Sequence, residues 1–186
     1  MQVEIQKTIK ALNDGNTVLY PTDTVWGVGC DATDQKAVAK IYRIKNRSES
    51  KSLIILVDSI EMLRTYIQKI PEKAISILKT SKRPTTIIYN EPCGLAKNVI
   101  AKDNTIAIRI VQDEFCKNVI KEFGKPLVST SANCSGRPTP KSFQEIDNSI
   151  LDGVDYVVNL RHNEIANVPS RIIKINVEGE LVVIRD

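Results

Sequence analysis

The apolar positions of this chain change their period several times, and each change predicts an element. Ile5, Ile9 and Leu12 recur at helical spacing, and Gly15 ends that run. Residues 17–20 then read as a short strand halted by Pro21. Asp34 is placed to cap a second helix with Ala37, Val38, Ile41 and Tyr42 inward. Residues 53–57 are continuously apolar, the pattern of a strand buried on both faces. Ser59 opens a helix carrying Met62, Leu63, Tyr66 and Ile67, and Pro71 opens another carrying Ala74, Ile75 and Leu78. Residues 85–89 and 105–110 read as strands, 113–123 as a helix with Phe115, Val119 and Ile120 inward, and 126–129 as a short strand. A short helix is expected over 142–150. Strands over 154–158, 171–177 and 181–185 complete the pattern, the last two a hairpin around Glu178-Gly179. Strands and helices interleave throughout, so the expected class is α/β with a mixed sheet, in one domain spanning 1–186.

Composition narrows the chemistry. Four cysteines stand at positions 30, 93, 116 and 134 without a C-x-x-C pair, and read as free buried thiols of a reducing compartment. His162 is the only histidine, which argues against a histidine metal site or a Ser-His-Asp triad. No apolar run approaches the roughly 18 residues of a membrane span, and no leader is visible, so a cytoplasmic, membrane-free protein is expected. G-x-x-x-x-G-K-[ST] is absent, and Ala32 stands where a dinucleotide fingerprint needs its third glycine. The net charge of +4 permits nucleotide or nucleic-acid binding without requiring it.

Three stretches remain as candidates. Pro21-Thr22-Asp23-Thr24-Val25-Trp26-Gly27-Val28-Gly29 follows the first strand, where α/β sheets bind ligands; on spacing alone a plain turn rich in turn-formers is the stronger reading. Trp26 could stack on a base or fill the core. Lys40, Arg43, Lys45, Arg47 and Lys51 form a basic run, either a solvated helix face or, where the helix has ended, a clamp on phosphates. Ser129-Thr130-Ser131-Ala132-Asn133 follows a buried strand and reads as a binding loop, the alternative being a Ser/Thr-rich turn and nothing more. No G-x-S-x-G elbow marks a nucleophilic serine. Arg109, on an apolar strand, needs a partner, which is either a structural carboxylate or an anionic ligand.

Taken in order, P-T-D-T-V-W-G-V-G-C-D-A, K-x-R, a buried strand, T-x-A-x-R and P-L-V-S-T-S-A-N-x-S-G resemble the YrdC/TsaC family, the threonylcarbamoyl-AMP synthases. The resemblance runs from about residue 8 to the C-terminus. It implies a twisted mixed sheet with flanking helices around a basic cavity. It also implies an enzyme that joins L-threonine, bicarbonate (or CO2) and ATP into threonylcarbamoyl-AMP, releasing pyrophosphate. Mg²⁺ is expected with ATP, with no ligand set nominated. tRNA and a separate tRNA-modifying transferase complex are the further partners it implies.

Matched position by position, the resemblance places Lys45, Arg47, Ser131 and Asn133 in catalysis. It places Thr24, Arg109, Ser129 and Ser170 on L-threonine, and Arg47, Lys51, Thr105, Ser131, Thr139 and Arg185 on the nucleotide. Trp26 departs from the family's usual Tyr, Leu56 from a common His, and Arg171 from a usual Thr. Ser81-Lys82-Arg83-Pro84 departs from W-P-G-P. The alternative is a non-catalytic YrdC-like RNA- or nucleotide-binding protein. Retention of Lys45, Arg47, Ser131 and Asn133 speaks against it, because inactive-looking YciO-type relatives depart at those motifs.

Overall fold

The computed structural model describes residues 1–46, 53–166, 168–175 and 180–186. The strands are β1 (Val18–Tyr20), β2 (Gly27–Gly29), β3 (Ile54–Val57), β4 (Thr85–Asn90), β5 (Thr105–Ile110), β6 (Leu127–Ser131), β7 (Tyr156–Val157), β8 (Arg171–Ile175) and β9 (Leu181–Arg185). They form one sheet in the order β7-β1-β2-β6-β3-β5-β4-β8-β9. β1/β7, β3/β5 and β4/β8 pair parallel, and the other neighbours pair antiparallel. The helices are α1 (Gln2–Asn13), α2 (Gln35–Ile44), α3 (Ile60–Tyr66), α4 (Glu72–Thr80), α5 (Glu114–Phe123) and α6 (Asn148–Leu151). The mixed α/β class read from the sequence is the class observed.

The strand period decides which residues meet which helices. Ile55, Val57, Ile87, Ile106, Ile108, Val128 and Ile173 point to one face, where they pack with Val38 and Ile41 of α2, Leu63 of α3 and Ala74 of α4. Leu56, Leu127, Val18 and Tyr20 pack on the other face with Ile5 and Leu12 of α1 and Phe115, Val119 and Ile120 of α5. Full burial of each such side chain contributes about 1.5–3 kcal/mol. α1 and α5 cover only part of that second face. The uncovered part is the floor of the site.

Local signals set the helix ends. Asp34 accepts from the amides of Lys36 and Ala37, and Asp113 from that of Cys116, so both helices begin on a carboxylate cap. Gly124 ends α5 at φ 74°, a left-handed conformation that glycine adopts without a Cβ penalty.

The structure differs from the sequence reading in three places. The 142–150 helix is a 3-10 turn (Phe143–Glu145) followed by α6, because Asp147 accepts from the Ser149 amide and starts the chain afresh. The 154–158 strand shortens to β7. Gly27–Gly29 is a strand, not part of a turn, and β6 extends through Ser131, so the first half of the expected hydroxyl loop is strand as well. The two pair antiparallel, Gly27 opposite Ser131 and Val28 opposite Thr130. Gly29 is required by a close approach: a Cβ there would lie 2.0 Å from the Val128 carbonyl oxygen and 2.9 Å from Tyr20 Cε1. The Tyr20 ring crosses this glycine to donate from its hydroxyl to the same carbonyl, at 3.1 Å. The hairpin turn expected around Glu178-Gly179 lies outside the described residues.

Candidate active site

A cavity of about 300 Å³ opens on the uncovered face. Its floor is built from residues that strand register brings into line. Ser129, Ile54, Ala107 and Ile88 form one row across β6, β3, β5 and β4. Arg109, Thr86 and Ile172 lie in the next row. The walls come from Thr24, Val25 and Gly27, from Ser131 and Thr139, and from Pro169, Ser170, Ile184 and Arg185.

Arg109 is only 3% exposed. Its Nη1 donates to Thr24 Oγ1 at 3.0 Å, and its Nη2 lies 3.2 Å from Asp23 Oδ1. The other Asp23 oxygen accepts from the Gln112 amide at 3.3 Å. Arg109 Nε is buried with no hydrogen-bond acceptor among the described residues. The structural carboxylate and the cavity position, alternatives from sequence, are therefore both present.

Arg185 closes the opposite wall. Its Nε and Nη2 donate to the Ser170 carbonyl at 3.1 and 2.7 Å. The Ser170 hydroxyl shares a 2.8 Å hydrogen bond with Thr86 Oγ1. Burial, and then the charge of Arg109, lower the Arg185 pKa, so the two guanidiniums favour an anion between them.

Lys45 sits behind the cavity wall. It is 1% exposed and does not line the cavity. Its ammonium donates to the Ser131 carbonyl and, at 2.6 Å, to the Asn133 carbonyl. The Lys45 carbonyl accepts from the Ser135 amide at 2.9 Å. The end of α2 is thereby tied to the segment that carries Ser131. Burial explains the arrangement, since an ammonium removed from water needs oxygen partners and the loop carbonyls supply them.

Asn133 also lies behind the cavity wall. Its Nδ2 donates to the carbonyls of Cys134 and Arg137 at 3.0 and 2.7 Å, and it lines a neighbouring cavity of about 220 Å³ that shares Thr139. Thr105 shares the Ala107 and Arg109 face of β5 but lies about 7 Å further along the strand. Its hydroxyl is held by Asp103 at 2.7 Å, and it does not line the cavity. Thr24, Arg109, Ser129, Ser131, Thr139, Ser170 and Arg185 all line this one cavity. Arg47 and Lys51 lie outside the described residues.

Trp26 fills the core. It is 3% exposed, with Phe143 and His162 ring centroids at 5.0 and 5.5 Å. Leu56 is fully buried in the α1/α5 core. Cys30 and Cys116 are buried free thiols, whereas Cys93 and Cys134 are half-buried. Burial pushes the Cys30 and Cys116 thiols up, which keeps both protonated. Sequence reasoning missed Ile54, Ile88 and Ile172, which line the cavity, and Thr86, which lies on the same face and holds the Ser170 hydroxyl. Their cavity-facing parity was readable from strand alternation, but which face would stay uncovered was not.

Residues 10–186 match the Sua5/YciO/YrdC family, described as telomere recombination. The chain belongs to this family. Among Sua5/YciO/YrdC relatives, the threonylcarbamoyl-AMP synthase of Pseudoalteromonas translucida is 35% identical over 161 residues, 85% of this chain and 86% of that one. P. abyssi Sua5 complexed with L-threonine superposes with a TM-score of 0.86 at 26% identity, over 97% of this chain. This chain spans about half of that protein, 53% of its length. E. coli YciO superposes with a TM-score of 0.87 at 22% identity and shares the twisted α/β fold. The expected basic character of the cavity reduces, among the described residues, to two arginines amid hydroxyl and apolar groups. No helix of the described residues is long and apolar enough to cross a membrane.

Proposed function

We propose that this chain is a threonylcarbamoyl-AMP synthase, joining L-threonine, bicarbonate (or CO2) and ATP and releasing pyrophosphate. The observation that carries the reading is the buried Arg109, held at the cavity wall by Thr24 and Asp23 beside the hydroxyls of Ser129 and Ser170. A guanidinium of this kind suits the carboxylate of an amino acid, which it meets through paired N–H groups.

The carbamate formed from the threonine amine and CO2 is already an anion. Its oxygen attacks the α-phosphorus of ATP, the P–O bond to pyrophosphate breaks, and a mixed anhydride results. No protein nucleophile is required. The protein's part is orientation and charge stabilisation. Arg109 holds the amino acid, Ser131 and Thr139 face the nucleotide, and Arg185 offsets the repulsion between approaching anions. Lys45 and Asn133 act from behind, by fixing the Ser131 segment. The phosphate-binding roles of Arg47 and Lys51, and a nucleotide contact by Thr105, rest on the family resemblance alone.

Mg²⁺ is expected to arrive with ATP. Mg²⁺ keeps several waters and binds through nucleotide oxygens with one or two protein carboxylates, so no protein ligand set is nominated for it. The product is a suitable donor for tRNA modification by a separate transferase, and tRNA binding belongs to the same proposal.

The test is to incubate the protein with ATP, Mg²⁺, bicarbonate and labelled L-threonine, and to separate products rapidly. Pyrophosphate and a labelled adenylate should appear only when threonine and bicarbonate are both present. Pyrophosphate release indifferent to threonine would refute the reaction.

A further inference from the structure

The hydrogen bonds of the 21–25 segment determine where its hydroxyl protons lie. Thr22 Oγ1 is 2.8 Å from the Val25 carbonyl oxygen, which can only accept, so the Thr22 proton goes there. Thr22 Oγ1 accepts in turn from the Thr24 amide at 3.0 Å. It also lies 2.9 Å from Thr24 Oγ1. Because the Thr22 proton is committed, Thr24 must donate across that contact. Thr22 Oγ1 is then saturated, with one proton given and two lone pairs filled. Thr24 Oγ1 has given its own proton and accepts from Arg109 Nη1 at 3.0 Å. Among the described residues one Thr24 lone pair remains, and Thr24 lines the cavity whereas Thr22 does not.

We infer that Thr22 is a positioning residue that makes Thr24 a hydrogen-bond acceptor only, so that Thr24 reads a donor beside the substrate carboxylate and rejects an acceptor there. The inference rests on the proposed amino-acid site. A carboxylate on Arg109 places both the α-nitrogen and a β-hydroxyl of L-threonine within reach of the next hydroxyl along, and both are donors. Thr24 and Arg109 thus divide the work: one accepts from the substrate and the other donates to it. A freely rotating Thr24 hydroxyl could instead turn its proton toward the carboxylate, and the orientation of the amino acid would be lost.

The test is a double-mutant cycle on L-threonine affinity, read by calorimetry and by KM. Thr22→Val removes the acceptor but keeps the shape, Thr22→Ser restores it, and Thr24→Val removes the reader. Thr22→Val should weaken L-threonine binding about tenfold while leaving KM for ATP unchanged, and Thr22→Ser should recover the parent value. In a Thr24→Val background, Thr22→Val should have no further effect. Penalties that multiply in the double variant, or equal threonine affinity in the parent and Thr22→Val, would overturn the inference. With L-2-aminobutyrate, which lacks the hydroxyl, a Thr24→Val penalty that persists assigns the donor to nitrogen. A penalty that vanishes with this analogue but not with threonine assigns the contact to the hydroxyl, and only the loss of affinity in Thr22→Val with recovery in Thr22→Ser supports the acceptor role. A parent protein that binds threonine yet forms no adenylate would refute the proposed reaction. The calorimetric cycle would still decide the role of Thr22.

Discussion

Replacing Arg109 with lysine separates geometry from charge at the centre of the site. In the native protein one guanidinium serves two partners at once, Thr24 through Nη1 at 3.0 Å and Asp23 through Nη2 at 3.2 Å. A lysine ammonium is a single point on a flexible stem and cannot keep both contacts in place. Both ion-pair side chains are largely buried, 4% and 13% exposed. Removing the charge altogether would therefore cost about 3–5 kcal/mol. Lysine retains the charge, so the expected cost to the unliganded protein is about 1.5–3 kcal/mol, the worth of a charged hydrogen bond. That leaves a folded protein if total stability is typical, about 5–15 kcal/mol. Saturating L-threonine, at a hundredfold excess over Kd, stabilises a protein that binds it by about 2.7 kcal/mol. The variant should lose that increment while keeping the shift produced by ATP. Sequence alone set a structural ion pair against a substrate clamp. The structure shows the ion pair, and under the proposed function Arg109 is the clamp as well, so the two losses should occur together. Thermal unfolding with and without each ligand measures them. A variant with the parent's threonine-induced shift would refute the clamp, and one with the parent's unliganded stability would refute the pair.

Other substitutions probe the scaffold. Gly29→Ala should destabilise by more than about 3 kcal/mol, since its Cβ would meet backbone 2.0 Å away, and expression as soluble protein with a normal melting curve would contradict this. Lys45→Met should lower turnover and release the Ser131 segment, with faster amide exchange at residues 131–135 than in the parent; unchanged exchange would remove the tethering role. Asp155 shows a pH dependence. Burial raises its pKa, but the Thr17 amide and hydroxyl at 2.8 and 2.9 Å, together with Lys40, outweigh this and hold it below its ordinary 3.8. Its contribution is present above that ordinary value and disappears as pH falls through the lowered one. Asp155→Asn should therefore flatten stability in acid, and an acid limb identical to the parent's would exclude the assignment.

What the sequence determined by itself was periodicity and punctuation. The helical spacing of Ala37, Val38, Ile41 and Tyr42 and the cap at Asp34 placed α2, and all four side chains are buried. The same local logic placed α5 and the strands around Ile55, Ile108 and Ile173, because a residue's backbone preference and its neighbours' polarity are written within a few positions of it. The ordered motifs also pointed to the family. Tertiary structure decided the rest. Gly27–Gly29 looks like a turn locally and becomes a strand because Tyr20 and Val128 leave no room for a Cβ and β6 offers a ladder on the open side. Lys45 reads as a solvated cation or a phosphate clamp until a buried ammonium finds the Ser131 and Asn133 carbonyls, whose positions depend on a strand more than eighty residues away. Asp23 and Arg109 are likewise distant in sequence and meet only when the segment after β1 folds over β5. Such contacts depend on which sheet face the helices leave uncovered, and no local pattern of hydrophobic and polar residues specifies that.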